Sequence, residues 1–366
     1  MINLDEIRKK LLTAHRYAES EVNVIMPKLA EIEQIRKEKG AVILAHYYQI
    51  PPIQLIADKS GDSLALAIYA QNMGGNSGLV VSSAVYFMAE MIKLLSPNKK
   101  IVIPDTKASC SIAEGMNVQT VRRIRSNYPS AAIVAYINTT AEVKSEVDVV
   151  CTSSNAETIV KNVEGDQVIL LPDYFFAKNI LHNLEGEQKN RKYLAYKGIE
   201  NGNIILEDVF NNKEETIPAE STELPTLSDG TCMVHNKFTP FDIYEYRRRG
   251  RIDAVLAHPE VRPSVAKMAD VVGGTGKMID YLKSHQQARK ILFITECDMA
   301  APLREAFPDR DFFTPCRFCD YMQRNNLDNL LNSLKNEVHE VRLDPKIECG
   351  AKRSLERMFE LMDVKK

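Results

Sequence analysis

AVILAHYYQIPPIQLIADKSGDS, residues 41–63, is the stretch around which this chain is organised. An apolar run of strand length, Ala41 to Ala45, ends abruptly in His46, Tyr47, Tyr48 and Gln49, groups that transfer protons or donate hydrogen bonds. In an open α/β sheet ligands bind outside the carboxyl ends of the strands, so the polar cluster stands where chemistry is expected. Pro51 and Pro52 stop the strand, and a helix-like segment leads to Gly61, Asp62 and Ser63 ahead of the apolar LALAIYA pattern. Backbone N–H groups and the Ser63 hydroxyl at that helix start suit an anion such as phosphate. The plainer readings are a satisfied, partly buried His46 and an ordinary N-cap at Asp62 or Ser63.

Working outward, the same pattern recurs. SGLVVSSA near Leu79 and KIVIPD near Ile101 complete a first set of β-branched runs; AAIVAYIN near Ile133, VDVVCTSSN near Val149 and QVILLPD near Ile169 form a second; DAVLAHPE near Val255, DVVGGTGK near Val271 and KILFITE near Leu292 form a third. Short apolar runs alternating with helical stretches indicate parallel sheets covered on both faces. Nearly every run ends in polar or small residues: Ser82 and Ser83, Asp105, Asn138, Ser153 to Asn155, Asp173, His258 with Glu260, and Thr275. Three sets of three suggest three similar α/β units. One large doubly wound sheet would show the same alternation, and pattern alone leans slightly towards it. Residues 1 to about 39 read as helix stopped by Gly40. The polar segment 185–228 reads as a surface excursion, with NGNIILEDVF as a hairpin strand and Pro218 and Pro225 as breakers. From Asn325 onward two helices carry the stripes Leu327, Leu330, Leu331, Leu334 and Leu355, Met358, Phe359, Met362, which read as packing faces.

With 366 residues and 45% apolar content the chain has room for two or three domains with sizeable cores. A formal charge of -2 argues against nucleic-acid binding, and the basic run YRRRGR at 246–251 reads as a solvated helix end. No apolar run is long enough to span a bilayer, and the start, MINLDEIRKKLL, reads as an amphipathic helix rather than a signal peptide. A cytoplasmic location follows as the expectation. The seven cysteines, Cys110, Cys151, Cys232, Cys297, Cys316, Cys319 and Cys349, are then reduced thiols or metal ligands rather than a disulfide framework. Only Cys316 and Cys319 make a close pair, so a metal site must gather ligands from distant segments. Cys151 and Cys297 end strand-like runs and read as core thiols, and Cys349 has no evident partner.

The combination of AHYYQ, AYINTT, CTSSNA, CMVH and HPE, spread from residue 41 to about 330, resembles the quinolinate synthase family, iron–sulfur enzymes of NAD biosynthesis. The resemblance implies three three-layer αβα units with short parallel sheets, in a pseudo-threefold triangular arrangement around a central site. The units would be 1–108 with the N-terminal helix, 109–231 with the long insertion at 185–228, and 232–366 with the C-terminal helices. It implies a [4Fe-4S] cluster on Cys110 (PDTKASCSIAEGM), Cys232 (DGTCMVHNKF) and Cys319 (TPCRFCDYMQRNNL). Thiolates favour such clusters, and three ligands on four irons leave one iron open as a Lewis acid. Cys316 is then a neighbour of the cluster, although Cys-x-x-Cys also reads as a redox pair or half a zinc site.

The implied reaction condenses iminoaspartate with dihydroxyacetone phosphate and releases phosphate and water. Its small-molecule substrates point to L-aspartate oxidase or dehydrogenase as the supplier of iminoaspartate. The reaction needs acid/base groups, for which the resemblance points to His46, Tyr48, Tyr136, His235, His258 and Glu260; His258 and Glu260, two residues apart, face one side of an extended chain. Phosphate and carboxylates would fall to Ser63, Asn138, Ser153, Asn155 and Thr275. Four departures stand out. Gly274 replaces a serine commonly found before Thr275, removing a hydrogen bond worth ~1 kcal/mol that Lys277 could offset as a nearby cation. Val261 replaces a cysteine after HPE, Ala84 stands where glycine is common, and the 185–228 connection is longer than usual. Gly274, Lys277 and the insertion motivate one alternative, a paralogous iron–sulfur enzyme acting on another keto or imino substrate; the Cys316/Cys319 pair with the extra surface segment motivates another, a non-catalytic redox-responsive protein.

Overall fold

The computed structural model describes residues 2–73, 78–184, 186, 191–220, 225, 229–250 and 252–362. The fold is α/β with three sheets. The chain divides into two compact units, one made of Met1–Ser109, Asp242–Leu256 and Ile279–Arg342, the other of Cys110–Phe241, Ala257–Met278 and Leu343–Lys366.

In the first unit β1 (Val42–His46), β2 (Lys59–Gly61), β3 (Leu79–Ser83) and β4 (Lys100–Val102) form a parallel sheet in the order β2-β1-β3-β4. All five residues of β3 are buried, as a strand covered on both faces must be. The N-terminal region is two helices, Leu4–Thr13 and Glu19–Lys39, rather than one. Asn3 caps the first by accepting the N–H groups of Asp5 and Glu6, and Gly40 ends the second at φ 58°, where a residue with a Cβ would be strained. Leu11, Leu29 and Ile32 from these helices pack with Ile43 and Ala45 and with Leu330 and Leu334 of the helix Leu327–Asn336, so the first leucine stripe is a packing face as its spacing indicated.

The second unit contains β5 (Ala132–Tyr136), β6 (Val149–Cys151), β7 (Gln167–Leu171), β8 (Lys192–Glu200), β9 (Asn203–Asp208) and β10 (Lys213–Pro218), in one sheet ordered β10-β9-β8-β7-β5-β6. The 185–228 excursion is therefore largely sheet. β8 joins β7 in parallel, and β9 and β10 follow by antiparallel hairpins. Residues 185, 187–190, 221–224 and 226–228 of that segment, and Arg251 of the basic run, lie outside the described residues. The edge strand KEETIP carries three charged residues and a terminal proline, which discourages further pairing. Helix Pro345–Met362 packs on this unit through Leu355, Met358 and Leu361, whereas Met362 at its end is 41% exposed.

The third sheet has the order β12-β11-β13-β14, formed by β11 (Ala254–Ala257), β12 (Val271–Val272), β13 (Lys290–Ile294) and β14 (Asp311–Phe313). No described helix is long and apolar enough to cross a membrane.

One cysteine expectation is overturned. Cys297 is not a core thiol but is disulfide-bonded to Cys316, with Cα atoms 4.9 Å apart, so the partner of Cys316 is not Cys319. The Cys297 N–H donates to Arg317 O at 3.1 Å, which brings the end of β13 beside the loop after β14. Cys151 is a core thiol, fully buried, and burial pushes its thiol far up.

Candidate active site

In the first unit the carboxyl ends of β1 and β13 come together. His46 closes β1, is 7% exposed, and accepts the Tyr48 N–H on Nδ1 at 3.1 Å. The Tyr48 ring stands edge-on to the imidazole at 4.6 Å, and its hydroxyl meets Thr295 Oγ1 at 2.9 Å just beyond β13. Next along the chain, burial and then the charge of Asp298 push the Glu296 carboxyl well above the usual range; its Oε1 has no hydrogen-bond partner among the described residues. Ser63 opens the helix Ser63–Asn72, but the Asp62 carboxylate already caps that helix by accepting the Ala65 N–H at 2.9 Å. The hydroxyl of Ser63 is what remains for a ligand.

The second unit holds the denser cluster. Tyr136 ends β5, and the chain leaving β11 supplies His258 and Glu260. The Tyr136 hydroxyl donates to Glu260 Oε1 at 2.7 Å, and Asn138 Nδ2 donates weakly to the same oxygen at 3.4 Å. His235 Nδ1 meets Glu260 Oε2 at 2.7 Å and lies 3.1 Å from Cys232 Sγ. The rings of His235 and His258 stack at 4.4 Å, and His258 Nδ1 is 3.6 Å from Glu260 Oε2. Burial works against the Glu260 charge, but His258 and His235, with the hydrogen bonds from His235 and Tyr136, outweigh it and hold the carboxyl far below its usual range. An ionised Glu260 accepts hydrogens only, which puts the His235 proton on Nδ1 and leaves Nε2 as the acceptor.

Below Glu260, Asp173 caps helix Tyr174–His182 by accepting the Phe176 N–H at 2.8 Å. Burial, then the charge of Glu260, pushes its carboxyl well above the usual range, and Oδ2 has no partner among the described residues. Asp173 also accepts the N–H of Cys232. Strand-end position singled out Asp173 in the sequence, but nothing there marked it as a neighbour of the catalytic candidates. Ser111 and Thr295 were missed altogether, since a serine or threonine declares its role only through its partners.

Two hydroxyls flank Gly274, that of Thr275 at the start of the helix Thr275–Ser284 and that of Ser153. Thr275 Oγ1 is buried and unpartnered among the described residues. A Cβ built on Gly274 would lie 2.2 Å from Ser153 Oγ and 3.0 Å from Ser153 Cβ, so the Ser153 side chain already fills the space of the replaced serine. Lys277 is exposed and its stem lies over Gly273, where a Cβ would meet Lys277 Cδ at 2.4 Å. Asn155 is occupied structurally: its Oδ1 accepts the Thr152 N–H at 2.6 Å and its Nδ2 lies 3.1 Å from Met362 Sδ.

Thiolates are the soft donors that an iron–sulfur cluster takes, and two of the three candidates lie in the second unit. Cys110 and Cys232, both partly exposed, sit on neighbouring loops tied by Ser111, whose hydroxyl donates to Thr231 O at 3.0 Å and accepts the Met233 N–H at 2.9 Å, spanning Cys232 from both sides. Gly115 packs so closely on Asp229 and Gly230 that a Cβ would meet Asp229 O at 2.3 Å. The hydroxyl of Tyr196, on β8, donates to Gly115 O at 3.0 Å. In the first unit burial pushes the Cys319 thiol up to about 11, while N–H groups of Met322 and Tyr321 favour its thiolate, the pattern of hydrogen bonds that tunes cluster sulfurs. Cys232, His235 and Glu260 also place three donor atoms within 4.8 Å of one another.

The family model described as quinolinate synthetase A protein matches residues 30–360. Quinolinate synthase 1 of Mesorhizobium japonicum is 38% identical over 340 residues, 93% of each chain. The quinolinate synthases of Sinorhizobium fredii and Caulobacter vibrioides are each 36% identical, over 92% and 95% of this chain and 82% and 85% of their own.

Proposed function

The chain belongs to the quinolinate synthetase A protein family, and from that premise we propose how its residues perform the activity. That activity is quinolinate synthesis in NAD biosynthesis, the condensation of iminoaspartate with dihydroxyacetone phosphate to give quinolinate, phosphate and water. The observation that carries the reading is the buried row Tyr136–Glu260–His235, joined by two hydrogen bonds of 2.7 Å.

In this reading Glu260 stays ionised and fixes the His235 tautomer. His235 Nε2 then takes a proton from a substrate carbon or hydroxyl and returns it to a departing oxygen, with His258 stacked against the imidazole. Tyr136 donates to Glu260 and so holds the carboxylate in place as the imidazole gains charge. The Thr275 and Ser153 hydroxyls bind substrate oxygens, the buried unpartnered Thr275 Oγ1 being the stronger candidate. His46 and Tyr48, braced by Thr295, supply a second proton-transfer pair, and the Ser63 hydroxyl contributes to phosphate binding.

Cys110, Cys232 and Cys319 hold a [4Fe-4S] cluster, which when bound supplies a Lewis acid for the dehydration steps. A single ion on Cys232, His235 and Glu260 is the competing use of the same thiol. Cys110→Ala separates the two, because it removes a cluster ligand and leaves the mononuclear donor set intact. We place the enzyme in the cytoplasm, supplied by an aspartate oxidase or dehydrogenase. The test is an anaerobic assay with iron analysis. Wild type forms quinolinate and contains iron and sulfide; Cys110→Ala, Cys232→Ala and Cys319→Ala lose both cluster and product. Full cluster content in Cys110→Ala, or product without iron, refutes the assignment.

A further inference from the structure

The second unit contains a cavity of about 600 Å³ that none of the residues assigned above lines. Helix Tyr174–His182 contributes Lys178 and Asn179 to one wall; Val209 and Phe210, just past β9, and Ala266 and Lys267, at the end of the helix Pro263–Ala266, contribute others. The Val209 and Phe210 wall belongs to the 185–228 excursion.

The lining is mixed: half of its residues are apolar, Val209 and Phe210 among them, and half are polar, including Lys178, His182 and Lys267, and none of those described is acidic. Lys178 Nζ is engaged by Glu207 Oε1 at 2.8 Å. Lys267 is exposed, and its ammonium forms no ion pair or hydrogen bond among the described residues. A cavity of this size is large enough for a small molecule, its apolar wall with Phe210 suits a ring, and a lysine without an ion pair among the described residues, with no acidic group in the lining, selects an anion. Asn179 connects the cavity to the chemistry. Its Nδ2 donates to Pro259 O at 2.8 Å and to Val261 O at 2.7 Å, the carbonyls on either side of Glu260.

We propose that this cavity is a regulatory site for a small aromatic anion, a flat ring carrying a carboxylate or phosphate, whose binding against Asn179 changes turnover at Glu260. The coupling rests on the catalytic role assigned to Glu260; the binding does not.

The test uses the anaerobically purified enzyme and calorimetric titration with benzoate and, separately, phenyl phosphate, which distinguishes a carboxylate from a phosphate ligand. One of them binds, Lys267→Glu weakens it about tenfold or more with basal activity unchanged, and Glu260→Gln leaves the binding intact. Saturating probe changes wild-type kcat by about fivefold, and Asn179→Ala abolishes that response. Failure of both probes to bind, or binding indifferent to Lys267→Glu, overturns the site; binding with no change in kcat overturns its regulatory role. Loss of binding in Glu260→Gln would assign the probe to the catalytic site instead and overturn the proposal. A wild type that makes no quinolinate counts against the functional reading while leaving the titration decisive.

Discussion

Restoring serine at position 274 should damage the enzyme rather than improve it. In Gly274→Ser the new Cβ would fall 2.2 Å from Ser153 Oγ and 3.0 Å from Ser153 Cβ, against about 3.5–4.0 Å for comfortable carbon contacts. The Ser153 hydroxyl can rotate away, but its Cβ moves only with a loop held by Asn155 Oδ1 on the Thr152 N–H and by the Ala156 N–H on Thr152 O. Overpacking of this kind costs about 1–3 kcal/mol. Rotation of Ser153 would also remove the bond proposed for it to a charged substrate oxygen, worth about 1.5–3 kcal/mol, or roughly 10- to 150-fold in kcat/KM. The assay is anaerobic quinolinate formation with both substrates varied in turn, beside a thermal melt. Gly274→Ser should lose most of its kcat/KM and melt a few degrees lower. Ser153→Ala combined with Gly274→Ser removes the 2.2 Å contact with Oγ, leaves the 3.0 Å contact with Cβ and supplies a hydroxyl from position 274, so it should recover kcat/KM to within about tenfold of wild type while keeping part of the melting deficit, a strong non-additivity. Wild-type kinetics and melting in Gly274→Ser, or a double variant no better than the single one, would refute the reasoning.

Four further outcomes follow. Glu260→Gln should lower kcat by about 100-fold or more while leaving KM nearly unchanged, since it unseats the His235 proton without removing a substrate contact. Ser111→Ala leaves Thr231 O and the Met233 N–H unsatisfied, about 1–3 kcal/mol each, and should release iron to a chelator several-fold faster with only a modest fall in melting temperature. Burial raises the Asp298 carboxyl from 3.8 to about 6 against the Gln323 hydrogen bond, so its stabilising proton is fully held below the unfolded value and lost as pH climbs through 6; Asp298→Asn should remove a pH-dependent decline of roughly 3 kcal/mol at most, read by denaturant titrations from pH 4 to 7. Cys297→Ser with Cys316→Ser should cost about 3 kcal/mol of unfolding free energy under oxidising conditions, and a reductant should bring wild type to the same level; equal stability of the two without reductant would exclude the bridge.

The sheets were legible because their strands are buried on both faces and so read as unbroken apolar runs: VILAH, LVVSS, AIVAY and KILFI need no partner to be recognised. The residues placed at their ends were legible for the same reason, and Tyr136, His258 and Glu260 fall together as the strand-end rule required. The excursion was legible only in part: NGNIILEDVF was read as a hairpin strand and contains β9, but its neighbours were not read. Its β10 is KEETIP, a half-exposed edge strand whose identity depends on a register with β9 that no local pattern specifies. Cys297 was misread as a core thiol because its strand end gives no sign of Cys316, which the contact between Cys297 N–H and Arg317 O brings beside it. Gly274 was read as a missing hydroxyl because a single position carries no record of the loop that covers it.

Ser111 has a consequence for damage and repair. Because its hydroxyl and the close approach of Gly115 to Gly230 fix the Cys110 and Cys232 loops through the protein's own bonds, those loops do not depend on metal for their shape. In zinc fingers, by contrast, metal binding and folding are one event, and stripping the ion unfolds the domain. If the proposed cluster is bound there, the second unit should outlive it: loss of the iron would leave a folded apoprotein with the Cys110 and Cys232 thiols still in position, ready for reloading instead of degradation.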